Sequence, residues 1–227
     1  MARTLNPTVH AVRRDAFVDA AQRLIQAKGY EQMSVQDVLD ELDASRGAFY
    51  HYFDSKAALL EAVVDQQMDG ALASFASLLA DPRQSALTKI SGIFGGITSW
   101  KNARRDLMLG LLQTWLSDEN AIVREKFRRE VHRRLTPILA GVVSQGVDEL
   151  VFTAAAPEHT AQVFVALLMG MNEAAARLFV ARQAKVITFE AARQELTAYA
   201  DGLGRILGAR PGSLAMVDEA TLHLWFD

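Results

Sequence analysis

A chain of 227 residues, half of them apolar and with a net charge of −3, is long enough to bury a real core and too weakly charged to coat nucleic acid non-specifically. It has no cysteine, which excludes disulfide scaffolds and thiolate chemistry and suits a reducing cytoplasm. The opening run MARTLNPTVHAVRRD lacks the apolar stretch of a signal peptide, and no uncharged run reaches the roughly 18 residues of a spanning helix. The expectation is a cytoplasmic protein without a membrane partner.

Residues 1–10, with Pro7 and little periodicity, read as a mobile arm. Arg3, Arg13 and Arg14 are then either solvated or within reach of DNA. A first helix is predicted over 12–28, with Phe17, Ala20, Ala21, Leu24 and Ile25 on one stripe and Gly29 ending it. The next stretch, 34–56, reads SVQDVLDELDASRGAFYHYFDSK. Ser34 is a helix N-cap with Asp37 placed to complete a capping box, and Met33 and Val38 suit a hydrophobic staple. Val35, Val38, Leu39 and Leu42 form one apolar face that stops at Asp43 and Ala44.

A second, short helix starts after Ser45. Its front is small or polar, Arg46, Gly47 and Ala48, and it ends in Phe49, Tyr50, His51, Tyr52 and Phe53. One helical face buries Phe49 and Phe53 and must expose others. Small leading residues let such a helix approach another surface closely, as a recognition helix does in the major groove. The same spacing also fits an aromatic-rich helical hairpin closing an all-α core. Residues 1–56 hold seven Lys or Arg against eight Asp or Glu. DNA binding by this part therefore requires Asp37, Asp40 and Glu41 to face away from DNA, few phosphate contacts per subunit, and two subunits.

Ser55 caps a predicted helix of some 25 residues that ends at Asp81-Pro82. It serves as a mechanical link out of the first cluster. Helices over about 87–100 and 104–116 are largely apolar and interrupted by Gly92, Gly95, Gly96 and Gly110, which implies close packing or a helix lining a cavity. From Asp118 a long helix carries Arg124, Lys126, Arg128, Arg129, Arg133 and Arg134 beside an apolar face of Ile122, Val123, Phe127, Val131 and Leu135. The simplest account is an amphipathic helix with its charges in water, kinked or restarted at Pro137. After a connection near 146–156, two more helices, from Pro157 and from Phe189, are apolar over wide faces. Either they close the chain's own core or they meet the same pair of a second copy in a four-helix interface. Leu222, Leu224, Trp225 and Phe226 should dock the tail on the body.

Chemistry is sparse. The five histidines are scattered, with no HExxH, phosphate loop or GxSxG elbow, so neither an enzyme, a metal site nor a cofactor is expected. Phe94, Trp100, Met108, Trp115, Phe164 and Met169 instead offer adaptable apolar walls, with Gln113, Asn172 and Glu173 as polar groups set in apolar helices. Singly each suits core packing; together they suggest a pocket for an apolar or aromatic small molecule, its polar end at Asn172 and Glu173.

The run Arg46-Gly47-Ala48-Phe49-Tyr50-His51-Tyr52-Phe53-Asp54-Ser55-Lys56, followed by Ala57-Ala58-Leu59-Leu60, resembles the DNA-binding signature of the TetR-type transcription regulators. The resemblance covers roughly residues 11–65. It implies an all-α fold with a three-helix helix-turn-helix domain over 1–56 and a larger ligand-binding and dimerisation domain over 57–227. It also implies a homodimer on an inverted-repeat duplex operator, released by a small-molecule effector. Tyr50, Tyr52 and Lys56 would contact phosphates, with Ser34, Ser45 and His51 nearby, and Arg46, Gly47 and Ala48 would lie nearest base edges. The family usually has Gly in the turn where this chain has Asp43, a residue that tolerates the left-handed conformation better than most. A rival reading keeps the helices and makes the chain a small-molecule carrier or enzyme with an incidental helix-turn-helix.

Overall fold

The structure, a computed structural model, describes residues 7–227, with side chains from His10 onward except that of Gln113. Arg3 lies outside the described residues. Among these the regular structure is ten α-helices and one 3₁₀ turn. The helices are α1 (Pro7–Lys28), α2 (Val35–Leu42), α3 (Arg46–Tyr50), α4 (Lys56–Ala80), α5 (Ala86–Asn102), α6 (Arg105–Leu116), α7 (Ala121–Asp148), α8 (Pro157–Gln183), α9 (Phe189–Leu207) and α10 (Glu219–Phe226). They form two compact units, one of residues through Asp69 together with Ala103–Phe127, the other of Gly70–Asn102 with Arg128–Asp227.

In the first unit, helix α1 begins at Pro7, not after an arm of ten residues. Proline is well placed at a helix start, where its fixed φ suits the first turn and its missing N–H has no partner to lose. Phe17, Val18, Ala21 and Ile25 of α1 are buried against Val38 and Leu39 of α2, Phe49 of α3, Phe53, and Leu59, Leu60 and Val63 of α4. Leu107 of α6 and Val123 of α7 close the same core. Helix α6 lies hard on α1. A Cβ added at Gly110 would meet the Ile25 carbonyl oxygen at 2.4 Å, a backbone contact no rotamer can relieve. The unit therefore takes in more chain than residues 1–56.

The predicted helix from Asp118 starts three residues later. Residues Asp118–Asn120 form the 3₁₀ turn, and Asn120 Nδ2 donates to Ser117 Oγ at 2.8 Å. Arg124 Nη1 donates to the Trp115 carbonyl at 2.7 Å and also to that of Ser117, satisfying acceptors left over where α6 ends. Pro137 does not restart α7, which runs through it.

In the second unit α8 and α9 pack along each other. Thr188 caps α9 by accepting from the Ala191 N–H at 3.1 Å, and Gly208 ends it in the left-handed conformation at φ 66°. The tail docks where α8 and α9 meet: Leu222 and Phe226 are buried with Ala174, Leu178, Ala192 and Leu196. Trp225 Nε1 donates to Asn102 Oδ1 at 2.7 Å. One described helix, α8, is long and apolar enough to cross a membrane, with a mean hydropathy of 1.6 over its best window. Its apolar content goes partly into the α9 and α10 contact, while Val163 and Val180 are left on the surface.

Candidate nucleic-acid interface

The α2–turn–α3 segment is fixed at every joint by a local rule. Ser34 Oγ accepts from the Asp37 N–H at 3.1 Å while the Asp37 carboxylate accepts from the Ser34 N–H at 2.7 Å, the reciprocal capping box. Met33 and Val38, at the staple positions, are both buried in the core. Asp43 takes the left-handed conformation at φ 47°, ψ 46°, so the aspartate does stand in for the turn glycine. The Ala44 N–H then reaches back to the Leu39 carbonyl at 2.9 Å. Ser45 caps α3 by accepting from the Ala48 N–H at 3.2 Å.

Helix α3 is five residues long, too short to stand alone, and is held by its rings. Phe49 is wholly buried and meets Phe17 edge-on at 5.7 Å and Phe53 at 5.7 Å. This anchoring turns Arg46, Gly47, Tyr50 and His51 to solvent. Tyr50 is 55% exposed, with its ring edge-on to Phe49 at 5.3 Å and its remaining face in water. Arg46 has no acidic partner among the described residues, and its nearest polar contact is Gln36 Oε1 at 3.5 Å.

The other expected contacts are placed differently. Ser34 is exposed, with its hydroxyl also donating to Asp37 Oδ2 at 2.7 Å. Ala48 and Tyr52 are half-buried, Tyr52 between Phe17 at 5.8 Å and His10 at 4.6 Å. Lys56 Nζ sits 4.1 Å from the Tyr30 ring centroid and donates to the Glu31 carbonyl at 3.3 Å. Burial pulls the Lys56 ammonium below its usual range and pushes the Tyr30 phenol up to about 12, the latter helped by the Glu31 charge. Lys56 thus pins the start of α4 and offers its remaining donors to solvent. His10, which sequence reading put in the arm, packs 5.4 Å from His51. Forty-one positions separate the two, and no periodicity links them.

The acidic residues of α2 are committed inside the unit. Lys28 pairs with Asp37 at 2.8 Å, Arg23 with Glu41 at 2.6 Å, and Gln36 donates to Asp40 at 2.7 Å. The Lys28 and Ser34 contacts hold the Asp37 carboxyl well below the ordinary carboxylate range. Asp37 and Glu41 are thus neutralised by cations of α1, which leaves the balance of acid and base in residues 1–56 as it was and the free charge of this segment small. The cations of α7 are also paired: Lys126 with Glu61 at 2.6 Å, Arg128 with Glu173 at 2.7 Å, and Arg133 with Glu130. These three are engaged by carboxylates, and Arg124 by the carbonyls at the end of α6.

Residues 17–63 match the family model of the bacterial regulatory proteins of the tetR family. Over that stretch the chain is similar to the tetR family. An uncharacterized HTH-type transcriptional regulator in the lacX 3′ region of Lactococcus lactis subsp. lactis is 40% identical over 24% of this chain and 28% of its own length. The HTH-type transcriptional regulator EthR of Mycolicibacterium smegmatis is 28% identical over 49% of this chain and 59% of its own. The chain thus spans between about a quarter and three-fifths of these curated relatives. A TetR transcription regulator from Haloarcula marismortui shares the fold, with TM-score 0.62 and 22% identity over 85% of this chain and 98% of that one.

The expected ligand residues divide between the units. Phe94, Trp100, Phe164, Met169, Asn172 and Glu173 belong to the second, where Phe94 and Phe164 meet edge-on at 6.2 Å. Met108 and Trp115 belong to the first, where Trp115 packs on Phe127 at 5.0 Å. The Gln113 side chain lies outside the described residues. Glu173 is tied to Arg128 and Asn172 accepts from Lys101 Nζ at 2.7 Å. Among the described residues no group of three or more His, Asp or Glu is placed to hold a metal.

Proposed function

We propose that the chain is a ligand-responsive transcriptional regulator that binds double-stranded DNA through α3 and represses until a small apolar or aromatic effector releases it. The observation that carries this is the buried Phe49 beneath an exposed Arg46, Gly47 and Tyr50, a rigid helix whose solvent face is small at its front and aromatic at its end. Gly47, where a Cβ would meet nothing closer than 3.9 Å, keeps that front low. Tyr50 and His51 contact phosphates and Arg46 reads a guanine edge, with Ser34, Ser45, Gly47, Ala48, Tyr52 and Lys56 completing the surface of residues 1–56. The match of residues 17–63 to the tetR family model and the pairing of Asp37 and Glu41 with cations of α1 support the assignment.

Few cations on this surface mean few phosphate contacts per chain, so tight binding uses a homodimer on an inverted repeat. The α8–α9 pair, with Val163 and Val180 exposed, supplies the dimer face. The effector occupies residues 57–227, and α4, which starts in the first unit and ends in the second, carries its effect by favouring one spacing of the two α3 helices. Work of this kind places the protein in the cytoplasm, without membrane, metal or enzymatic role.

Selection of bound fragments from random duplex DNA tests the reading. It should return an inverted repeat with a guanine in each half-site; recovery of no common sequence would overturn it and favour a helical carrier.

A further inference from the structure

The second unit contains two lysines on one helix, Lys89 buried and Lys101 half-buried, and their partners differ in kind. Lys89 of α5 donates to Gln145 Oε1 at 3.0 Å. Gln145 in turn donates to the Glu149 carboxylate, whose other oxygen accepts from the Ala86 N–H at 2.9 Å. A negative charge thus stands one hydrogen bond beyond Lys89. Lys101, in the last turn of the same helix, donates to Asn172 Oδ1 at 2.7 Å. Asn172 passes the chain on only to a neutral acceptor, its Nδ2 donating to the Leu168 carbonyl at 3.2 Å. The carboxylate next along α8, Glu173, is engaged by Arg128 at 2.7 Å.

The Lys101 ammonium therefore has a neutral amide partner, no carboxylate among the described residues, and two N–H donors beyond the one bonded to Asn172. Its surroundings on α8 are apolar: Leu168 and Met169 lie one turn before Asn172 and are buried, and Ala175 lies one turn after. Burial alone pulls the amine down to about 8, so it is still mostly protonated at neutral pH. A partly desolvated cation without a counter-charge is costly to keep. An anion from outside the chain that accepts from the free donors removes that cost.

We infer that Lys101, held by Asn172, binds the carboxylate of a small apolar acid, so that the effector class of this protein is apolar or aromatic carboxylic acids. This rests on the reading of residues 57–227 as the effector-binding part. Lys101 escapes sequence reading because a lone basic residue in the last turn of a helix is ordinarily a solvated complement to the helix dipole. It takes over the role first expected of Glu173, which like charge would set against an acid.

The test uses the full-length protein, calorimetry without DNA, and the probes octanoate and benzoate beside octanamide and benzamide. The acids should bind about tenfold or more tightly than their amides, the difference a charge-assisted hydrogen bond supplies. Lys101→Met, which keeps the stem, should abolish that preference while circular dichroism and dimer mass stay unchanged. Asn172→Ala, which frees the ammonium to move, should weaken it. Equal binding of acids and amides, binding of neither, a shift reproduced by sodium chloride alone, or an unchanged acid preference in Lys101→Met would overturn the inference. Duplex selection on the same Lys101→Met protein separates the two claims. An intact inverted repeat with lost acid binding supports the site, and absence of any selected sequence in the wild type counts against the regulator reading instead.

Discussion

The α2–α3 segment and the α5–α8 pair both place polar groups among apolar helices, but by opposite means. In the first, the caps and the turn are closed locally: Ser34 with Asp37 three residues on, Ser45 with Ala48, Asp43 with the carbonyls one turn back. In the second, Lys101 finds Asn172 seventy-one positions away and Trp225 finds Asn102 across 123. A surface built from neighbours in sequence can be carried intact from protein to protein. One assembled across helices is free to change its ligand without disturbing the scaffold.

Four substitutions break or sharpen that contrast, in falling order of effect. Phe49→Ala removes a ring with no exposed surface and should cost about 3–5 kcal/mol in the first unit, read by urea unfolding. Gly110→Ala drives a methyl into the Ile25 carbonyl and should cost about 1–3 kcal/mol, on the same assay, although it touches neither α2 nor α3. Asp43→Gly should stabilise by up to about 1 kcal/mol, because the left-handed conformation is strained for a residue with a Cβ; a loss of stability would mean the aspartate side chain holds the turn.

The smallest effect concerns pH. Asp37 has a folded pKa held below its unfolded value near 4. Its pairing with Lys28 and Ser34 therefore stabilises the fold above that unfolded pKa and is lost as pH falls below it. Asp37→Asn should flatten the acid limb of the melting temperature against pH and leave its alkaline limb alone.

The local segment was legible because each of its signals is short in range. Cap, staple, turn and aromatic spacing all lie within 33–56, and each is met in the structure. The start of α1 was misjudged because low periodicity near Pro7 says nothing about a first turn that proline itself favours. The tail's docking site and the partners of Asn172 and Glu173 depend on which helices meet, and neither spacing nor composition encodes that. The paired cations of α7 lie between these cases. Their solvated character follows from the apolar face beside them, but their partners Glu61 and Glu173 lie on other helices.

Tyr50 tests the central claim most directly, since its ring is more than half exposed and meets the core through an edge contact with Phe49. Anisotropy titration of the selected duplex with wild type and Tyr50→Ala, beside urea unfolding of both, separates reading from folding. The account predicts an affinity loss of about tenfold or more with stability changed by less than about 0.5 kcal/mol. Unchanged affinity for the duplex in Tyr50→Ala would contradict it.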